Sequence, residues 1–180
     1  MSQIKVDSIV PRGGLPAGAS SGGIIQVVST NVTATAHYSL GGGSGNSAWT
    51  DISGMSCTIT PQSASSKIYV MCVLRGQTDG EYLGVRMMRG STPIMVGTGA
   101  SGNRTNCTAR FQGRENEHRT NQFINFGIDS PSTTSATTYK VQVANRHSSE
   151  NFYFNYPATT DDNNYTMYLC STFTVMELTP

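Results

Sequence analysis

Apolar and polar residues alternate with period two through much of this chain, and no stretch long enough for a helix carries apolar positions at helical spacing. The clearest alternation is Thr-Thr-Tyr-Lys-Val-Gln-Val-Ala-Asn at residues 137–145, where Tyr139, Val141 and Val143 are separated by Lys140 and Gln142. That pattern predicts a strand with one buried face. At residues 68–74 the alternation gives way to an unbroken run, Ile-Tyr-Val-Met-Cys-Val-Leu. A strand this apolar is expected to be covered on both faces, by a second sheet of a sandwich or by a neighbouring subunit. It is joined to a shorter run at 57–60 by Pro-Gln-Ser-Ala-Ser-Ser, a loop because Pro61 cannot donate to a ladder and the serines favour local bonds. The pair is the expected centre of the fold.

Further strands are expected at residues 24–29, 49–52, 82–89, 93–96, 105–111 and 123–128, with 152–156 as an edge strand stopped by Pro157 and a long closing run at 165–178. Turn signals separate them, among them Leu-Gly-Gly-Gly-Ser-Gly-Asn at 40–46, Gln-Thr-Asp-Gly at 77–80 and Arg-Gly-Ser-Thr-Pro at 89–93. About nine short strands with frequent turns predict an all-β antiparallel sandwich. Its first and last strands are expected to lie near each other.

Residues 1–23 read differently from the rest. Ile4, Val6, Ile9 and Val10 form a short apolar segment ending at Pro11, and a stretch rich in Gly, Pro and Ala follows that cannot build a core of its own. The division expected is an extended N-terminal anchoring arm at 1–23 and a β-sandwich domain at 24–180. The arm has the alternating side chains and open backbone of a segment that adds to a neighbour's sheet.

Composition narrows the partners. Charged residues are only 13% of the chain, about half of the ~25% usual in soluble domains. Twelve basic residues against eleven acidic ones leave no field to attract nucleic acid, so none is expected as a partner. There is no apolar run of the ~20 residues a membrane helix needs, and the N-terminus lacks the apolar segment of a signal peptide. Synthesis in a cytoplasm without membrane attachment is therefore expected. Cys57, Cys72, Cys107 and Cys170 are widely spaced within apolar or Thr-rich runs and read as small reduced core residues.

No catalytic or metal motif emerges, and neither enzyme activity nor a cofactor is expected. His37, His118 and His147 do not lie at zinc spacings, and Asp-Asp-Asn-Asn at 161–164 lacks the acidic and glycine positions of a calcium loop. The densest charge is Arg104, Arg110, Arg114 and Arg119 interleaved with Glu115, Glu117 and His118. It reads either as a solvated loop or as an ion network between subunits, since Arg forks match carboxylates. Tyr153, Tyr156 and Tyr165, with Phe152 and Phe154, read either as core aromatics or as a receptor face that stacks on sugar rings.

The layout resembles small jelly-roll virion proteins of tailed bacteriophages, particularly cyanophages. The resemblance is carried by Ile-Lys-Val-Asp-Ser-Ile-Val-Pro-Arg-Gly-Gly at 4–14, Gly-Gly-Ile-Ile-Gln-Val-Val at 22–28, Trp-Thr-Asp-Ile-Ser-Gly-Met at 49–55, Ile-Thr-Pro-Gln-Ser-Ala-Ser-Ser-Lys-Ile at 59–68 and Phe-Thr-Val-Met-Glu-Leu at 173–178. It implies a jelly-roll-like sandwich that forms a homotrimer, docks on other virion proteins of the capsid or tail through Ile4, Val6, Ile9, Val10 and Pro11, and resides in the virion after synthesis in the host cytoplasm. Contacts between subunits are then expected at Ile68, Val70, Leu74, Arg110, Arg114, Glu115, Glu117 and Arg119. With no heptads or long repeats, the chain has no fibre shaft. Two functions follow: a capsid decoration or cement protein, or a tail-fibre or tail-associated knob that binds a host surface glycan.

Overall fold

The computed structural model describes residues 23–41, 48–80, 82–102, 104–112, 120–145 and 150–179. Within them the chain is all β and folds as an antiparallel sandwich, as its alternation predicts. Its strands are β1 (Ile24–Val32), β2 (Ala36–Leu40), β3 (Thr50–Ile59), β4 (Lys67–Thr78), β5 (Leu83–Arg89), β6 (Thr92–Ile94), β7 (Ala109–Phe111), β8 (Asn121–Asp129), β9 (Thr137–Asn145), β10 (Glu150–Phe154) and β11 (Ser171–Leu178). One sheet has the order β1-β11-β4-β10-β2, with β8 also on β4; the other has the order β3-β9-β5-β6, with β7 also on β5. Apart from Gly23, the arm at 1–23 and its five expected anchoring residues lie outside the described residues.

The central strand is β4. Its inward residues Ile68, Val70, Cys72 and Leu74 are fully buried against Val141, Val143, Met87 and their neighbours in one continuous core. The alternate residues Tyr69, Met71 and Val73 are half-buried on the outer face. The apolar run thus resolves into one face spent inside the sandwich and one face turned outward. Ile68, Val70 and Leu74 lie on the first of these, so any contact between copies through β4 belongs to the second.

The first and last strands do pair, β1 running antiparallel to β11 from Ile24↔Leu178 to Val32↔Ser171. Where β1 enters, Glu177 is fully buried and accepts hydrogen bonds from the Gln26 side chain at 2.6 Å and the Gln62 backbone N–H at 2.7 Å. The Gln26 amide also donates to the Thr60 carbonyl at 2.8 Å. One carboxylate therefore ties the loop that leads into β4 to the terminal pair. Burial would raise its pKa, but the bonds donated to it by Gln26 and the backbone at Gln62 hold it below the ordinary glutamate value of 4.5.

Several boundaries differ from expectation for local reasons. The runs expected at 49–52 and 57–60 merge into a single strand, β3 at Thr50–Ile59, whose pairing with β9 shifts register between Asp51 and Ser56 across Gly54 at φ 79°. β4 runs on to Thr78 through the expected turn at 77–80 because β10 pairs with its end, Phe152 opposite Thr78 and Phe154 opposite Gly76. β10 is therefore no edge strand: β4 lies on one side and β2 on the other. Gly76 makes this possible, since a Cβ there would sit 2.3 Å from the Tyr153 carbonyl oxygen and 2.8 Å from the Phe152 ring. β2 was not anticipated, its five residues being too short and mixed to signal a strand. The closing strand begins only at Ser171, and residues 165–170 form a loop.

Candidate functional site

The outer face of the six-stranded sheet carries two distinct surfaces, and the first depends on how β8 is turned. β8 pairs with β4 along Asn121 to Asp129, placing Ile128 beside Tyr69, Phe126 beside Met71 and Ile124 beside Val73. Its apolar side chains point away from the core: Ile124, Phe126 and Ile128 are 52%, 62% and 61% exposed. The inward positions are taken by Phe123, Asn125, Gly127 and Asp129. Asn125 reaches the Met87 sulfur at 3.3 Å, and a Cβ on Gly127 would come within 2.8 Å of the Met95 sulfur.

The inward orientation is fixed by Asp129. Its carboxylate takes both oxygens to Arg89 Nη1 of β5 at 2.8 Å and accepts the Tyr139 hydroxyl of β9 at 2.7 Å. These bonds join the two sheets. Burial, and then the Asp129 carboxylate, push the Tyr139 hydroxyl well above its ordinary pKa, so it remains a donor. A one-residue slip of β8 would bury Ile124, Phe126 and Ile128 but would strand Arg89 and Tyr139.

The first surface is therefore aliphatic and aromatic. Tyr69 and Phe126 stack at 6.2 Å, Met71 and Val73 lie alongside, and Met176 of β11 and the 53% exposed Val27 of β1 extend the strip across the sheet. Toward β1 and β11 it ends in hydroxyl and amide rungs, Ser29 with Thr174 at 2.7 Å and Thr172 with Asn31 at 2.9 Å. Exposed apolar strips of this kind are uncommon on the surfaces of monomeric soluble proteins.

The second surface lies toward the other end of the same face, where β10 and β2 join β4. His37 and Tyr153, cross-strand partners, stack at 5.0 Å with planes 16° apart. Tyr153 meets Tyr156 edge-on at 5.6 Å, and Tyr156 stacks on Tyr168 at 6.5 Å with planes 15° apart. Asp79 borders the cluster: it accepts the Asn151 backbone N–H at 2.6 Å, the Asn151 side-chain amide at 2.7 Å and the Tyr153 hydroxyl at 3.4 Å. Burial, with the Asp79 charge next, raises the Tyr153 pKa, and burial beside Tyr168 raises that of Tyr156.

Asn155 holds this aromatic corner together. It is fully buried at φ 63°, a left-handed conformation that asparagine tolerates better than most residues. Its side-chain amide donates to the Val32 and Ala34 carbonyls at 2.6 and 3.0 Å, and its side-chain oxygen accepts the Ser171 hydroxyl at 2.6 Å. Its backbone N–H donates to Arg75 at 3.0 Å, and its carbonyl accepts from Leu169 at 2.8 Å. One residue thus clamps the β1–β2 turn, the exit of β10 and the entry to β11, which sets Tyr156 beside Tyr168. A single asparagine among many gives no sequence signal for this role.

Of the site residues read from the sequence, Tyr153 and Tyr156 come together, while Tyr165 is 66% exposed in the following loop. The partners that complete the corner, His37, Tyr168 and Asp79, come from separate segments that only the β2–β10–β4 pairing unites. Phe152 and Phe154 are core residues, as the alternative reading had them. Arg110 is exposed with its guanidinium 5.2 Å from the Tyr82 ring centroid; Arg114, Glu115, Glu117 and Arg119 lie outside the described residues. Cys57 and Cys72 are buried, whereas Cys107 and Cys170 are half-buried, and all four are free thiols. Burial raises the pKa of both Cys57 and Cys72. No family model and no curated protein matches the chain.

Proposed function

We propose that this chain is a structural protein of a phage virion, a homotrimeric capsid decoration or cement protein with a jelly-roll-like body, attached through its N-terminal arm. What supports the reading is the strip formed by Tyr69, Met71, Val73, Ile124, Phe126 and Ile128, turned outward by the Asp129 ties. A copy of the same chain supplies an equally apolar, uncharged surface, and closed symmetry would bury it. The bead-like sandwich without a shaft fits a protein added to a preformed lattice. Sedimentation equilibrium on the full chain should return three times the chain mass, and Phe126→Asp should return the chain mass alone. Wild-type protein sedimenting as a single chain would sink the trimer. Removing residues 1–23 should leave a folded domain that no longer joins particles, and counting copies per virion separates the lattice from the tail.

A second reading, a tail-associated knob that binds a host surface glycan, is favoured by one observation: the ring cluster at His37, Tyr153, Tyr156 and Tyr168. In that case the copy number per virion would be a small multiple of three or six rather than hundreds.

A further inference from the structure

We propose that the aromatic corner formed by His37, Tyr153, Tyr156 and Tyr168, rimmed by Asp79 and Asn151, is a carbohydrate-binding shelf whose ligand is a neutral pyranose of a surface polysaccharide. The inference deepens the glycan-binding reading above and rests on it for its biological setting.

The chemistry of the corner differs from that of the apolar strip. A pyranose ring presents C–H groups on its faces and hydroxyls around its edge. Its faces suit aromatic rings, whose negative π surfaces attract weakly positive hydrogens, and its edge needs directional polar partners. The corner provides both. Tyr168 is 66% exposed and nearly parallel to Tyr156, while His37 and Tyr153 form a second parallel pair; the edge-on contact of Tyr153 with Tyr156 turns one pair against the other. The result is a bent shelf with ring faces in two orientations, suited to consecutive sugars of a chain rather than to a flat protein surface.

Polar groups sit at its margin in fixed positions. Asp79 is held at both oxygens by Asn151 and stands within 3.4 Å of the Tyr153 hydroxyl. The Tyr153 hydroxyl donates its proton to Asp79 and keeps its lone pairs, so the carboxylate and the hydroxyl together offer two adjacent acceptors to the O–H donors of neighbouring sugar hydroxyls. The same negative charge disfavours an acidic sugar, which commits the ligand to a neutral one. The shelf is also pre-formed, because the bonds of Asn155 fix Asn155 and Leu169, the chain neighbours of Tyr156 and Tyr168, before any ligand arrives, which lowers the ordering cost of binding.

The test is affinity electrophoresis of the full chain in native gels containing dextran, yeast mannan, laminarin or a galactan. Retardation by at least one polymer is expected. Tyr156→Ala and Tyr168→Ala should each weaken it by about tenfold, while Tyr156→Phe, which keeps the ring face, should stay within about twofold of wild type. Asn155→Gly keeps the backbone conformation but removes the side-chain clamp, and should weaken retardation with every ring still present. Thermal melting of each variant checks that it folds. Migration unaffected by all four polymers would overturn the proposal, as would retardation that survives the double Tyr156→Ala, Tyr168→Ala variant. A change of sedimenting mass in the alanine variants would also overturn it, since the corner would then be a contact between copies. Particles carrying Tyr156→Ala that adsorb normally to host cells, although the isolated protein has lost its polymer, would remove the host-adsorption reading and leave the shelf standing.

Discussion

β4 and β8 lie side by side in one sheet, carry similar alternations of bulky apolar residues, and use their faces in opposite ways. On β4 the inner residues Ile68, Val70, Cys72 and Leu74 fill the core. On β8 three apolar residues face outward, and the inner side is one core aromatic, Phe123, followed by the polar and small residues Asn125, Gly127 and Asp129. The two strands are hydrogen-bonded neighbours, so neither position in the sheet nor hydrophobicity decides which face goes in. A few directional bonds decide it: burying the Ile124–Phe126–Ile128 face would gain transfer energy but turn Asp129 outward, leaving the buried Tyr139 hydroxyl without its acceptor and the part-exposed Arg89 without its ion pair.

The largest effect expected from breaking this contrast is on β4. Leu74→Ala should lower unfolding stability by about 2 to 5 kcal/mol in urea titrations, because the site is closed on all sides. Phe126→Ser, an equally drastic change of surface on β8, should move monomer stability by less than about 0.5 kcal/mol while abolishing self-association in sedimentation. Similar losses from both substitutions would show that β8 is buried in the chain after all. Asp129→Asn falls between them: it removes the charge that Arg89 pairs with but leaves an acceptor for Tyr139, and about 1 to 3 kcal/mol should be lost.

Glu177→Gln sharpens the same point through pH. A carboxylate held below its ordinary value contributes stability at neutral pH, and that contribution disappears as acid protonates it in the folded state, below about 4.5. The midpoint of urea unfolding in wild type should therefore fall as pH drops through this range. The glutamine variant should start lower at neutral pH and lose less on acidification; parallel curves for the two proteins would discount Glu177. The smallest effect belongs to Lys140→Ala. Its ion pair with Asp51, 2.7 Å long, has a half-exposed carboxylate, and its loss should cost less than about 0.5 kcal/mol, in contrast to Asp129.

Period-two alternation was enough to find most of the strands, including Thr137–Asn145 to the residue, and the terminal strands, expected only to lie near each other, are hydrogen-bonded partners. It could not supply a sign. Alternation tells which residues share a face, not which face is inside, and for β8 the deciding partners, Arg89 and Tyr139, come from distant strands. The apolar run of β4 hid its parity in a different way, since Tyr69, Met71 and Val73 are as hydrophobic as the residues between them. Tyr153 and Tyr156 were legible as candidates because aromatic residues cluster in the chain there. Tyr168 was read into a strand, and His37 belongs to a strand too short to detect, so the corner they complete was not. Asn155 acts through three segments at once, and nothing in its local sequence separates it from a turn residue.

The meeting of β1 and β11 also orders events in time. Gly23 and Thr179, 156 positions apart, are joined by a hydrogen bond, and β11 lies between β1 and β4 in the finished sheet. A ribosome adding ~5 to 20 residues per second therefore releases β1 and β4 well before the strand that joins them exists. Throughout that interval one edge of β4 lacks its flanking strand along Lys67 to Val73, and β1 has no partner in its sheet. Pairing between strands so far apart in sequence is slow, because long loops must close before any contact rewards them. Until β11 emerges, the open edges of β1 and β4 and the outward apolar residues of β8 are exposed together, and that interval is when encounters between nascent chains are most favoured.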